Sequence, residues 1–105
     1  MGGSTFEYRL GRYADREYFL SARARPGFED PEEFAVVVHY NDPTTDESVQ
    51  VARVDTAHGH VHIDRLYRRG RPKDELDLNF WDAVEFVEER WRTFAEGHER
   101  TRRDE

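Results

Sequence analysis

The apolar residues of this 105-residue chain change their spacing once, and that change limits what the chain can build. Over the first two thirds they alternate, the period of strands that turn one face toward a core. Phe6, Tyr8 and Leu10 alternate with Glu7 and Arg9; Tyr18, Leu20, Ala22 and Ala24 share one face of 17–25; Phe34, Val36, Val38 and Tyr40 share one face of a third run. Residues 48–55 and 60–68 read as a fourth and fifth strand, a hairpin with its histidines near the tip. Gly11 to Arg16, Pro26-Gly27 and Asn41-Asp42-Pro43 supply turn chemistry between the runs. From Asn79 the period lengthens: Phe80, Val84, Val87, Trp91 and Phe94 recur at spacings of four, three, four and three, the stripe of an amphipathic helix. Asn79 is placed to cap its start, with Asp82 in the capping-box position, and Gly97 to close its end, which gives a helix about 27 Å long. These readings predict an α+β domain over residues 1–97. Its core is an antiparallel β-meander of about five strands with one long C-terminal helix packed on one face. Residues 98–105 are expected to form a charged, frayed tail.

Composition bounds the function. Apolar residues make up 36% of the chain and charged residues 37%, yet seven Phe, five Tyr and two Trp give a single core bulky material to bury. The formal net charge of −7 argues against a general nucleic-acid coat protein, although a local basic patch can still act. There is no cysteine, so neither a disulfide framework nor thiolate chemistry is available, and a metal would have to be held by His, Asp or Glu. No apolar run approaches the roughly 20 residues that span a membrane, and no leader is evident. A cytoplasmic protein with no membrane partner is the expectation.

Chemistry concentrates in Asp55-Thr56-Ala57-His58-Gly59-His60-Val61-His62-Ile63-Asp64, which holds three of the five histidines. On an extended strand His60, His62 and Asp64 project from one face and Val61 and Ile63 from the other, with His58 joining across Gly59. One reading is a metal site in which His60, His62 and Asp64 hold a divalent ion such as zinc. A second is metal-free acid–base catalysis by His58, His60 and His62, with Asp55 orienting a histidine. A third is an ordinary polar surface. The run from Arg65 to Lys73 carries five positive charges in nine residues, so Arg65, Arg68, Arg69 and Arg71 are candidates to grip phosphate. The bland alternative is a solvated loop neutralised by Asp74, Glu75 and Asp77. On the helix, Trp81, Phe86 and Ala95 widen the apolar stripe, which suits packing within the domain or a homodimer contact.

The order Val54-Asp55-Thr56-Ala57-His58, then a histidine-bearing strand, then a C-terminal helix, resembles the TumE-type small toxins of toxin–antitoxin pairs and uncharacterised haloarchaeal domains of similar size. The likeness runs over about residues 34–95 in arrangement, with Thr56 where that pattern favours Asn. A composition rich in acids, with Lys73 the sole lysine among 16 basic residues, is likewise similar to that of proteins from salt-loving organisms. The resemblance implies a growth-inhibiting protein with an antitoxin partner. Joined to the histidines and arginines, it makes a toxin-like, RNA-directed hydrolase the leading expectation. The alternatives are a non-catalytic protein-interaction module, homodimeric in one version, and a histidine-based metal-binding protein.

Overall fold

Alternating runs joined by short turns can pair only with their sequence neighbours, and the chain does so. The computed structural model describes residues 3–57, 60–68 and 74–103. The elements are β1 (Ser4–Tyr13), β2 (Arg16–Arg25), β3 (Glu33–Asn41), β4 (Ser48–Ala57), β5 (His60–Arg65), β6 (Asp74–Leu76) and α1 (Phe80–Arg103). The strands form one antiparallel sheet in the order β1-β2-β3-β4-β5-β6, an open meander with α1 packed on it. The expected class and layout therefore hold, with six strands in place of five. The additional strand is three residues long, two of them carboxylates, too short and too polar to show any alternation. β5 ends at Arg65, short of the expected Arg68, because the Arg65 carbonyl accepts the Arg68 amide in a turn. β1 is longer than expected: only Ala14 and Asp15, both with positive φ, separate it from β2, the two-residue turn that matches strand twist.

Register builds the core in rows across the sheet. Phe6, Ala22, Val36, Val54 and Ile63 face one another in sequence across five strands, and all but Phe6 are buried. A register slip between Val38 and His39 turns both Val51 and Ala52 inward. Against this face α1 lays Phe80, Ala83, Val84, Val87, Trp91, Phe94 and Ala95. Phe80 meets Phe34 edge-on at 5.5 Å and stacks on Phe28 at 5.3 Å. Trp91 tilts onto Tyr18 at 5.4 Å and fills the space beside Gly11, where a Cβ would lie 2.7 Å from the indole. That close approach, at the register slip between Arg9 and Gly11, is why glycine sits mid-strand.

Asn79 caps α1 as expected, its Oδ1 accepting the Asp82 amide at 2.8 Å. Gly97 does not end the helix, which continues to Arg103. Its lack of a side chain serves a different purpose: Tyr67 lies against it, and a Cβ would come within 2.7–2.8 Å of the phenol ring. Beyond Gly97 the expected frayed tail is anchored helix through Arg103. His98 Nε2 shares a hydrogen bond with the hydroxyl of buried Tyr40 at 2.9 Å, and Glu99 pairs with Arg16 and, at 3.1 Å, with Arg102. The Arg16 guanidinium also covers the Tyr40 ring at 4.8 Å. Polar side chains at the sheet end thus hold the last turns where apolar ones run out.

Two consequences are measurable. Gly11→Ala drives a methyl into the buried indole and should lower stability by about 1–3 kcal/mol, which a thermal melt of a domain this size reads as a fall of several degrees. Tyr18 is fully buried with no hydrogen-bond partner for its hydroxyl, and burial, reinforced by Tyr40, pushes its ionisation up to about 12. The folded phenol stays protonated while the unfolded one ionises near 10. Its contribution is therefore intact below pH 10 and lost as pH rises from 10 to 12, a decline of about 2–3 kcal/mol. Tyr8, also raised to about 12 by burial and by Glu88, adds to the same slope. In Tyr18→Phe, chemical denaturation across pH 9–12 should show a shallower decline and little loss at neutral pH, since the hydroxyl has no partner to lose.

Candidate functional site

With α1 on one face, the alternate residues of every strand stand on the other. One row there runs Thr5, Arg23, Ala35, Asp55, His62 and Glu75; the next runs Glu7, Ser21, Val37, Arg53 and Asp64. The expected parity of β5 is present: Ile63 is fully buried under the helix, while His60, His62 and Asp64 belong to the free face.

Two of the predicted histidines come together. The rings of His60 and His62 are 6.4 Å apart at 68°. His60 is exposed, its Nδ1 2.8 Å from Glu75 Oε1 on β6, beside a shallow cleft of 350 Å³ that also touches Leu76 and Asp77. Half-buried His62 lies between Asp55 on β4 and Glu75 on β6, its register partners. Asp55 is 3.7 Å from the Arg53 guanidinium. Asp64 is 4% exposed, level with Arg53.

The basic run behaves differently. Arg65 pairs with Asp74 at 2.8 Å, one of the acids that follow the basic run. Arg68 is exposed. His58, Arg69 and Arg71 lie outside the described residues. Among the described residues no group of three His, Asp or Glu side chains stands close enough to hold one metal ion, so the set of His60, His62 and Asp64 is not gathered around a common point.

A second cluster on the same face could not be located from sequence. Ser21 Oγ donates to Glu7 Oε1 at 2.6 Å and lies 2.6 Å from His39 Nε2, which is itself 3.2 Å from Glu7 Oε1. The residue types are those of a nucleophile triad, but the wiring is not. Serine and glutamate both meet Nε2, Nδ1 is buried without a partner, and the serine sits mid-strand where backbone amides are engaged in the sheet, leaving no evident oxyanion donors. The cluster edges a groove of 470 Å³ floored by Ala35 and Val37 and rimmed by Arg23 and Gln50. Alternation already put Glu7 and His39 on wet positions; only register across β1, β2 and β3 brings them to Ser21.

The free face also holds most of the unpaired buried polar atoms. Of the five found among the described residues, His39 Nδ1, Asp55 Oδ1, His62 Nδ1 and Asp64 Oδ1 are there; Tyr18 Oη alone is on the helix side.

An open antiparallel sheet with one covering helix and a free face bearing histidines and carboxylates is the class that this fold and site define. The chain belongs to the family described as Domain of unknown function (DUF7718), whose model matches residues 1–104. No curated protein and no solved structure matches it. Among the described residues no helix is long and apolar enough to cross a membrane.

Proposed function

We propose that the chain is a toxin-like, RNA-directed hydrolase that works without a metal, using His60 and His62 as its acid–base pair. The observation that carries this reading is the pair itself: two imidazoles 6.4 Å apart on the uncovered face, each beside a carboxylate. Glu75 at His60 Nδ1 favours the tautomer with its proton on that nitrogen, leaving Nε2 to take the proton from an RNA 2′-hydroxyl. The freed oxygen attacks the adjacent phosphorus, and protonated His62 gives its proton to the departing 5′-oxygen. The products are a 2′,3′-cyclic phosphate and a 5′-hydroxyl. Asp55 stands level with His62 across the β4–β5 ladder, placed to orient the ring once RNA is bound, and Arg53 supplies positive charge for the phosphate. The likeness of 54–62 to TumE-type toxins supports the same reading and implies an antitoxin partner.

One observation favours the second reading, a non-catalytic interaction module. Trp81 is 54% exposed and stacks on Phe6 at 6.0 Å, part of an aromatic group with Phe28 and Phe80 at the start of the helix.

Total RNA incubated with the purified protein should be cut to fragments ending in cyclic phosphate, unaffected by chelator. His60→Ala and His62→Ala should each slow cutting by about 10²-fold or more while remaining folded. Cutting lost on chelation would move the histidines to a metal-binding role. RNA left intact by the parent, or cut equally by folded variants, would leave the interaction module as the better account.

A further inference from the structure

β1 is a ten-residue edge strand, paired with β2 on one side only. Long edges invite pairing with another chain, and proteins that avoid it place charges or bulges there. The other edge, β6, is three residues with two acids. β1 is unlike it in length and in its apolar row: Phe6, Tyr8 and Leu10 are only partly buried on its helix side, and its register with β2 is unbroken from Ser4 to Arg9, the slip falling at Leu10.

We infer that β1 is the interface of a two-fold homodimer, in which β1 of one copy pairs antiparallel with β1 of a second across Tyr8. The inference is independent of the proposed hydrolase activity. Its basis is a self-complementary pattern in the strand. With the axis at Tyr8, Glu7 lies opposite Arg9 of the second copy, and Arg9 opposite Glu7 of the second copy. On the helix side Phe6 meets Leu10 twice. Each cross-strand pair of this kind is favourable, and like charges directly opposite are not. Neighbouring registers fail on that rule: an axis at Glu7 or at Arg9 sets identical charges face to face, and an axis between residues puts apolar side chains opposite charged ones.

The groups needed are accessible. The side chains of Glu7 and Arg9 are 57% and 55% exposed. Arg9 has a loose contact with Glu17 at 3.7 Å, and the contacts of Glu7 with Ser21 and His39 both use Oε1. The pairing also brings Leu10 of the second copy beside Phe6, on which exposed Trp81 stacks, which gives that aromatic edge an apolar neighbour. A two-fold contact closes on itself, so the result is a dimer and not a filament. It joins two six-stranded sheets into one of twelve, with β5 and its histidines at the far side of each half.

Sedimentation velocity or native mass spectrometry of the full chain should show a species of twice 12.5 kDa. Arg9→Glu and Glu7→Arg each set like charges opposite and should shift dissociation to roughly ten-fold higher concentration or more, with circular dichroism unchanged. The double variant Glu7→Arg/Arg9→Glu restores opposite charges and should recover the dimer, which a merely structural effect of either substitution would not do. A parent that is monomeric at all concentrations, single variants that dimerise as well as the parent, or a folded double variant that stays monomeric would each overturn the inference.

Discussion

The helix has one apolar stripe and the sheet has one apolar face, and everything else in the molecule follows from burying the first against the second. Phe80, Val84, Val87, Trp91 and Phe94 each contribute on the order of 1.5–3 kcal/mol by leaving water, and only the face carrying Tyr18, Leu20, Val36, Val38 and Val54 can receive them. Trp91 sets the fit at one end, since its indole needs the missing side chain of Gly11. Polar anchors set it at the other, where Arg16, Tyr40, His98 and Glu99 bind the last turns. Among the described residues α1 is the one element packed on the meander, and it covers a single face.

What remains is a sheet face with strand geometry and, among the described residues, no helix over it. Strands fix the spacing of its side chains in two directions, along each strand by alternation and across strands by register, so functional groups there are positioned without loops. Small residues at its centre, Ser21, Ala35 and Val37, keep the floor low, and larger polar groups stand around it. The histidine pair and the Glu7–Ser21–His39 cluster lie toward opposite sides, with Val37 on β3 and Arg53 on β4 between them. Carboxylates sit near both. Glu75 meets His60 and Asp55 stands level with His62, and both carboxylates oppose a phosphate, so the guanidinium of Arg53 matters to any nucleic-acid reading.

The layout was legible because both periods are long and clean. Alternation over 6–10, 17–25 and 34–40 and the four-three spacing from Phe80 each persist over several residues, and each predicts a face as well as an element. β6 was invisible because three residues hold no period. Gly97 misled because helix-ending and close packing both call for glycine, and only tertiary contact with Tyr67 separates them. The same limit applies to the site. Placing His60, His62 and Asp64 on one face needed parity alone, and it held. Finding that Glu75 meets His60, that Asp74 occupies Arg65, or that Ser21 joins Glu7 to His39 requires register between strands, which residue types do not encode one strand at a time.

On the proposed reading a phosphodiester binds the helix-free sheet face at His60 and His62. Imidazole ¹⁵N resonances followed during titration with a short RNA carrying 2′-deoxy substitutions that block cleavage test it directly. His60 and His62 should shift together and saturate, while His98, bonded to Tyr40 on the helix side, should stay in place. Unmoved His60 and His62 at saturating RNA, or equal movement of all the histidines, would contradict it.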